Sequence, residues 1–350
     1  MLKVSNEKGE TFNDVLIEPQ YSETERSSID ISTDMGKFKL KIPLISANMK
    51  DITGPNMVVE MAKHGGLGIL HRFGTVKQSL EDFNLATSLI SKEFSDNKYN
   101  HEPYCGVSVG VKELERERFK ELYNCGAKIF TVDVAHGYHL FVREMIDYMR
   151  EIAGDGICII AGNIATPKAV EDLMWWGADI VKVGIGSGGR CVTRKNTGVG
   201  VPQLKAIRDI RNNFDHSYGE LYIISDGGIR LSGDITKALK YSNAVMVGSY
   251  IAGTSETPNH VYEDDSGKFY KIYGGSASGE RKVENGNKND FVEGVVSKVE
   301  FRGHAKHILR KTSDCIKSAM SYSGSTSLRE FRGKCKLIDI GSGGKAESRL

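Results

Sequence analysis

The chain has no long hydrophobic run; nothing in its 350 residues approaches the roughly 18–20 apolar positions that span a bilayer. Its opening, MLKVSNEKGETFNDV, has no apolar core of a secretion signal, so the expectation is a soluble, cytoplasmic protein with no membrane partner. Neither charge is in excess. Against 47 Lys+Arg stand 45 Asp+Glu, a net +2, which argues against the basic surface of a sequence-blind nucleic-acid binder and against an acidic tail. Cysteine is sparse: six residues, with no CxxC and no paired histidine spacing, so disulfides and zinc are poor expectations. Cys105, Cys125, Cys158, Cys315 and Cys335 lie in or beside apolar runs and read as small core hydrophobes. Proline is scarce for this length, at 7, and no collagen-like period accompanies the glycine.

Glycine is what the chain has in plenty, 39 residues, as expected where backbone turns sharply or approaches a ligand. The rest repeats one phrase: a short apolar run, a polar or glycine-rich loop, an amphipathic stretch. The runs are Ile42–Ala47, Leu67–Leu70, Tyr104–Val109, Ile129–Val134, Ile157–Ala161, Ile180–Val183, Leu221–Ser225 and Ala244–Val247. Short, Val/Ile-rich and mostly unbroken, they read as parallel strands buried on both faces. Between them lie helical patterns. In Pro167–Gly177, Thr166 is the N-cap and Ala169, Val170, Leu173 and Met174 share a face; Leu140, Phe141, Met145, Ile146 and Met149 form another. Eight such units predict an α/β fold, a (β/α)8 TIM barrel, over residues 1–350 as one catalytic domain; an open doubly wound sheet is the alternative. Two segments fall outside the phrase. Residues 254–298 read as an inserted flap after strand 8, a lid or a disordered loop, and 303–350 as a closing helix plus a flexible or ligand-binding tail.

Barrel chemistry sits at the C-terminal ends of strands. Those positions read SANMK, HRF, VDVAHG, AGN, GIGSGGRC, SDGG and VGS. Asp226-Gly227-Gly228 and Gly248-Ser249, after strands seven and eight, match a phosphate site, with Asp226 suited to a ribose diol; the alternative is a pair of tight turns. Cys191, in a glycine-rich loop between Arg190 and Arg194, is a nucleophile with Thr193 as proton relay, or a structural thiol. The same loop is able to turn carbonyls toward a monovalent cation. Asp133 and Asn163 end consecutive strands; Asp133 is a site carboxylate or a helix cap. His71 and His136 read equally as structural residues or bases, His304 and His307 as surface. Trp175-Trp176 reads as packing.

With those residues in view, GIGSGGRCVTRKNTGVGVPQ (184–203) resembles the active-site loop of the IMP dehydrogenase/GMP reductase family. FNDVLIEP, ISANM, VDVAHG, AGNIAT, ADIVKVGIG, ISDGGI and AVMVGSYIAG follow in that family's order over roughly residues 10–340. The resemblance implies a barrel, a homotetramer, a purine nucleoside monophosphate substrate and a bound potassium ion. It implies Cys191 as the thiolate that forms a thioimidate at purine C2, with Thr193 and Glu293 handling protons. Met49, Gly189, Asp226, Gly227, Gly228, Gly248 and Ser249, with Gly274, Gly275, Ser276, Asp290 and Gly294, would contact the substrate. Arg72, Asp133, Val134, Ala135, Asn163, Ile185 and Gly186 would face the nicotinamide cofactor, and carbonyls of Gly186, Gly188, Cys191 and Arg194 the potassium.

The family has two branches. The short insertion from Tyr273 to Glu293, without an Arg-Tyr pair, and the roughly 33 residues between second helix and third strand resemble the reductase branch, which implies NADPH-dependent deamination of GMP. The alternatives are a dehydrogenase taking IMP to XMP with NAD, and a nucleotide-binding paralogue without turnover. The sequence departs from the family at Lys50 (an aspartate there), Gly189 (a phosphate-binding serine), Gly275 (a methionine) and Asp290 (an arginine in reductases). GVGVPQ and the ESR of the tail resemble the dehydrogenases, and the terminal Ser-Arg-Leu resembles a peroxisomal address.

Overall fold

Short runs of Val, Ile, Leu and Ala bury both faces only where a sheet is covered on both sides. In the computed structural model, which describes residues 9–274 and 296–347, eight such runs close into a parallel barrel. They are β1 (Leu44–Ser46), β2 (Leu67–Leu70), β3 (Cys105–Val109), β4 (Ile129–Asp133), β5 (Cys158–Ile164), β6 (Ile180–Val183), β7 (Ile223–Asp226) and β8 (Ala244–Val247). Closure is by β8 on β1, with Val245 opposite Leu44 and Val247 opposite Ser46. The fold is thus the (β/α)8 TIM barrel that the repeat predicts.

The helices cover the barrel through one face each, with four departures from the sequence expectation. In the helix Leu140–Ala153 the buried face is Val142, Met145, Ile146 and Met149; Leu140 and Phe141, in its first turn, are exposed. In Pro167–Trp175, Thr166 is the N-cap by position but makes no side-chain cap bond. Trp175 is 78% exposed rather than packed, because the helix ends beneath it; Trp176 stacks on Tyr138 instead. Cys125, at the end of Glu113–Asn124, is exposed and not a core hydrophobe.

The segment after β8 is not a bare loop. Tyr262–Glu263, Phe269–Gly274 and Val296–Glu300 form a three-stranded antiparallel sheet. Its alternation, Lys271 and Tyr273 in and Phe269 out, is masked in the sequence by lysines and glycines. Lys271 is buried because its ammonium donates to the Thr257 carbonyl (2.8 Å) and hydroxyl (3.1 Å). The helix Ala305–Tyr322 closes the barrel as expected. The tail beyond it carries a strand and a helix among the described residues. Lys336–Asp339 pairs antiparallel with Val15–Glu18, and Ser342–Glu347 is a short helix. Among the described residues no helix is long and apolar enough to cross a membrane.

Candidate active site

The C-terminal ends of the strands open into a cleft of about 810 Å³, within the range of small-ligand sites. Its geometry begins with a close approach of β6 and β7. Gly184 ends β6 at φ +153°, where a Cβ would lie 1.9 Å from the Asp226 carbonyl oxygen, so only glycine fits. The chain then turns through Gly186 and Gly188 to Cys191, whose N–H donates to the Gly188 carbonyl (3.0 Å). Cys191 Sγ lies 3.0 Å from Thr193 Oγ1, a thiol in direct contact with a hydroxyl. Gln203 braces the loop from below: its amide donates to the Val183 carbonyl (2.8 Å) and accepts from Ser187 Oγ (2.7 Å).

Of the two arginines beside Cys191, Arg194 is held away from it. Its stem crosses Gly186 and Gly200 and its guanidinium donates to the Val201 carbonyl (2.6 Å). Arg190 turns the other way, its guanidinium carbon 5.2 Å from the centre of the Tyr273 ring.

The electrostatic centre is Lys182, a residue the sequence reading passes over. Its side chain is only 3% exposed and its ammonium reaches Asp226 Oδ2 (3.1 Å), Asp133 Oδ1 (3.5 Å) and the Asn163 side-chain carbonyl. Asn163 in turn donates to Asp226 Oδ2 (2.9 Å) and the Gly184 carbonyl (2.7 Å). Arg72 Nε lies 3.6 Å from Asp133 Oδ2 and donates to the Asp133 carbonyl (3.1 Å). Burial alone would raise the Asp133 carboxyl, but Lys182 and Arg72 outweigh it and hold it below the usual carboxylate range. Lys182 moves oppositely. Burial lowers it, and the two carboxylates more than restore it, so the ammonium stays charged. The signal in the sequence is a lysine inside the buried run IVKV.

Most of the sequence-predicted residues meet here. Met49, Arg72, Asp133, Val134, Ala135, Asn163, Ile185, Gly186, Gly188, Gly189, Cys191, Thr193, Asp226 and Gly227 all line the cleft. Gly228, Gly248, Ser249 and Gly274 do not. The Gly228 N–H donates to the Ser187 carbonyl (2.9 Å) and the Gly274 N–H to Asp51 (2.8 Å). Gly248 packs against Tyr273 and Met49, Ser249 against Gly189. Ahead of the helix after β7, Ser232–Leu239, the Asp234 carboxylate accepts from the N–H groups of Arg230 (3.0 Å) and Leu231 (3.1 Å). Gly275, Ser276, Asp290, Glu293 and Gly294 lie outside the described residues. His136 is exposed, and His304 pairs with Glu256 (2.9 Å). His71 is neutral, its pKa lowered to about 4 first by burial and then by Lys50.

Known proteins resemble the chain over nearly its whole length. A profile of the IMP dehydrogenase / GMP reductase domain matches residues 9–350. The inosine-5'-monophosphate dehydrogenase of Cryptosporidium parvum is 35% identical over 98% of this chain and 95% of its own. The GMP reductase of Bacillus subtilis is 37% identical over 88% of each chain. A solved cysteine-to-alanine variant of GMP reductase from Trypanosoma brucei, in complex with guanosine 5'-monophosphate, superimposes with a TM-score of 0.89 at 26% identity, covering 99% of this chain and 98% of that one. In sequence and in fold, the chain belongs to the IMP dehydrogenase / GMP reductase family of oxidoreductases.

Proposed function

We propose that the chain is a GMP reductase, converting GMP to IMP and ammonia with NADPH through a thioimidate on Cys191. The observation that carries this reading is the Cys191–Thr193 contact at 3.0 Å, in a cleft lined by Asp133 and Asp226, both braced on one lysine. The connection from Gly274 to Val296 joins directly paired strands and is short, leaving little chain for a water-activating flap. That favours deamination over hydrolysis.

Cys191 Sγ, as thiolate, forms the bond to guanine C2 while the C2–amino bond breaks. Thr193 takes the thiol proton and passes it on; Glu293 completes the relay that protonates the departing ammonia. Asp226 accepts from the ribose hydroxyls through Oδ1, both its protein partners being on Oδ2. On this reading Gly189 and Gly227, with Gly228, Gly248 and Ser249, are the residues assigned to the phosphate, and Met49, Gly274 to Ser276, Asp290 and Gly294 those assigned to the base.

The cleft also fits a dinucleotide. It runs on past Asp133 to Gly74, Gln78, Lys112 and Leu114, with Arg72 and Lys112 as cations for an anionic ligand. NADPH, when bound along Asp133 to Ala135, Asn163 and Ile185-Gly186, supplies the hydride that replaces sulfur at C2. Carbonyls of Gly186, Gly188, Cys191 and Arg194 suit a potassium ion, being neutral oxygens on a loop that Gly186 turns at φ +77°. Those of Gly188 and Arg194 each accept one local N–H and keep a second lone pair. The ion would hold the loop in shape. The assembly is a homotetramer.

The test is a paired absorbance assay: NADPH with GMP, and NAD with IMP. NADPH oxidation with ammonia released in equal amount is the expected result, and Cys191→Ala should abolish it while nucleotide affinity stays within about tenfold. Formation of NADH and XMP from IMP would make the chain a dehydrogenase. Nucleotide binding with neither reaction would make it a silent paralogue.

A further inference from the structure

Among the described residues, Arg190 is a charged side chain on the cleft wall with no hydrogen-bond or ion-pair partner. Among the described residues no carboxylate or carbonyl receives it, and its Nε is shielded from solvent without a hydrogen bond. A shielded guanidinium donor left unmatched is costly, and it marks the place of an acceptor that comes from elsewhere. Its head is fixed over Tyr273, at 5.2 Å from the ring centre, and Tyr273 is itself only 3% exposed. The cation is therefore held on the wall and not swung into solvent.

That wall adjoins the loop after β8, where barrels take up phosphate. A Cβ on Gly248 would meet the Tyr273 hydroxyl at 3.3 Å, and one on Gly189 would meet Ser249 Oγ at 3.1 Å. Gly189 has no side chain with which to donate. The nearby cations are engaged, Arg194 on the Val201 carbonyl and Lys182 on two carboxylates. Among the described residues, a dianionic group in this corner has Arg190 as its unmatched cation.

We infer that Arg190 anchors the 5'-phosphate of the nucleotide, its guanidinium donating to a phosphomonoester between Gly189, Ser249 and Tyr273. The assignment rests on the nucleoside-monophosphate reading above. It makes Arg190 the residue that separates nucleotide from nucleoside.

The experiment is calorimetric binding of GMP, IMP and guanosine to the wild type, Arg190→Met and Arg190→Lys. Losing charge-assisted bonds to a phosphate should weaken GMP and IMP about ten- to a hundredfold in Arg190→Met and less in Arg190→Lys. Guanosine affinity should stay within about twofold, which also shows that the variants fold. Adding Gly189→Ser to Arg190→Met places a hydroxyl beside Ser249 and should recover part of the loss. Equal losses for GMP and guanosine would overturn the inference. So would an unchanged GMP affinity with slower iodoacetamide alkylation of Cys191, since Arg190 would then act on the thiol. If the wild type binds guanosine as tightly as GMP, the site is not a phosphate site and Arg190's role falls. If it binds none of the three, the nucleotide reading itself fails.

Discussion

Lys182 joins two carboxylates that belong to different strands, Asp133 at the end of β4 and Asp226 at the end of β7. Removing it leaves Asp133 and Asp226 as partly buried charges with no common counter-ion. Breaking such a pair by truncating one member costs about 3–5 kcal/mol, mostly as the penalty on the partners left behind. Lys182→Met should therefore lower unfolding stability by about 3 kcal/mol in denaturant titration. Adding Asp226→Asn, which removes one stranded charge, should raise the midpoint again; a double variant less stable than the single would show that the lysine acts by packing alone. At this scale the sequence is legible where chemistry sits at a strand end. Cys191, Thr193, Asp133, Asn163 and Asp226 stand in polar, glycine-rich exits from apolar runs, and all of them line the cleft. Lys182 is not legible in the same way, because one lysine in IVKV scores as an interruption of a strand, and its partners are 44 and 49 residues away. Arg190 is visible only as a charge near a thiol until Tyr273, from beyond β8, is brought beneath it.

Elements are read well where both of their faces are buried. β2, β6 and β8 match their apolar runs end to end, since a parallel strand under helices has no polar face to blur its limits. The sheet after β8 was hidden for the converse reason: one face is open, and the buried positions of Phe269–Gly274 include a lysine, Lys271, beside Tyr273. What the element scale adds to function is the spacing of β6 and β7. Gly184→Ala would set a Cβ 1.9 Å from a backbone oxygen of β7, a clash no rotamer relieves. The strands must part, and with them the Lys182–Asp226 contact and the Cys191 loop. Gly198, at φ +73° with nothing within 4 Å, is the control, because alanine there meets only backbone strain of about 1–2 kcal/mol. Gly184→Ala is expected to lose more stability than Gly198→Ala in thermal melts, together with nucleotide binding. Equal melting points and intact binding in both would mean that β6 and β7 tolerate separation.

Over the whole molecule, acid should undo the fold in two stages, set by groups in different places. His71, after β2, is neutral in the fold, its pKa lowered to about 4 by burial and by Lys50, whereas an unfolded histidine titrates near 6.5. As pH falls below about 6.5 the unfolded chain binds a proton that the folded chain refuses, so stability falls until about pH 4. With the side chain partly exposed, the loss is about 2 kcal/mol. Glu60 follows at lower pH. Burial opposes its charge, but His64 and Lys63 more than compensate and bring its carboxyl to about 2; Asp14, held by Lys345 and Thr11 against its own burial, lies at about 2 as well. Both are depressed, so their stabilisation is complete above about pH 4.5 and is lost as pH drops toward 2. Urea midpoints measured from pH 7 to pH 3 separate the stages. His71→Asn, which cannot take the proton, should flatten the curve between pH 6.5 and 4 and leave the lower limb steep. Glu60→Gln should do the reverse, reducing the slope only below about pH 4.5. Parallel curves for His71→Asn and the wild type would place the upper stage on another group.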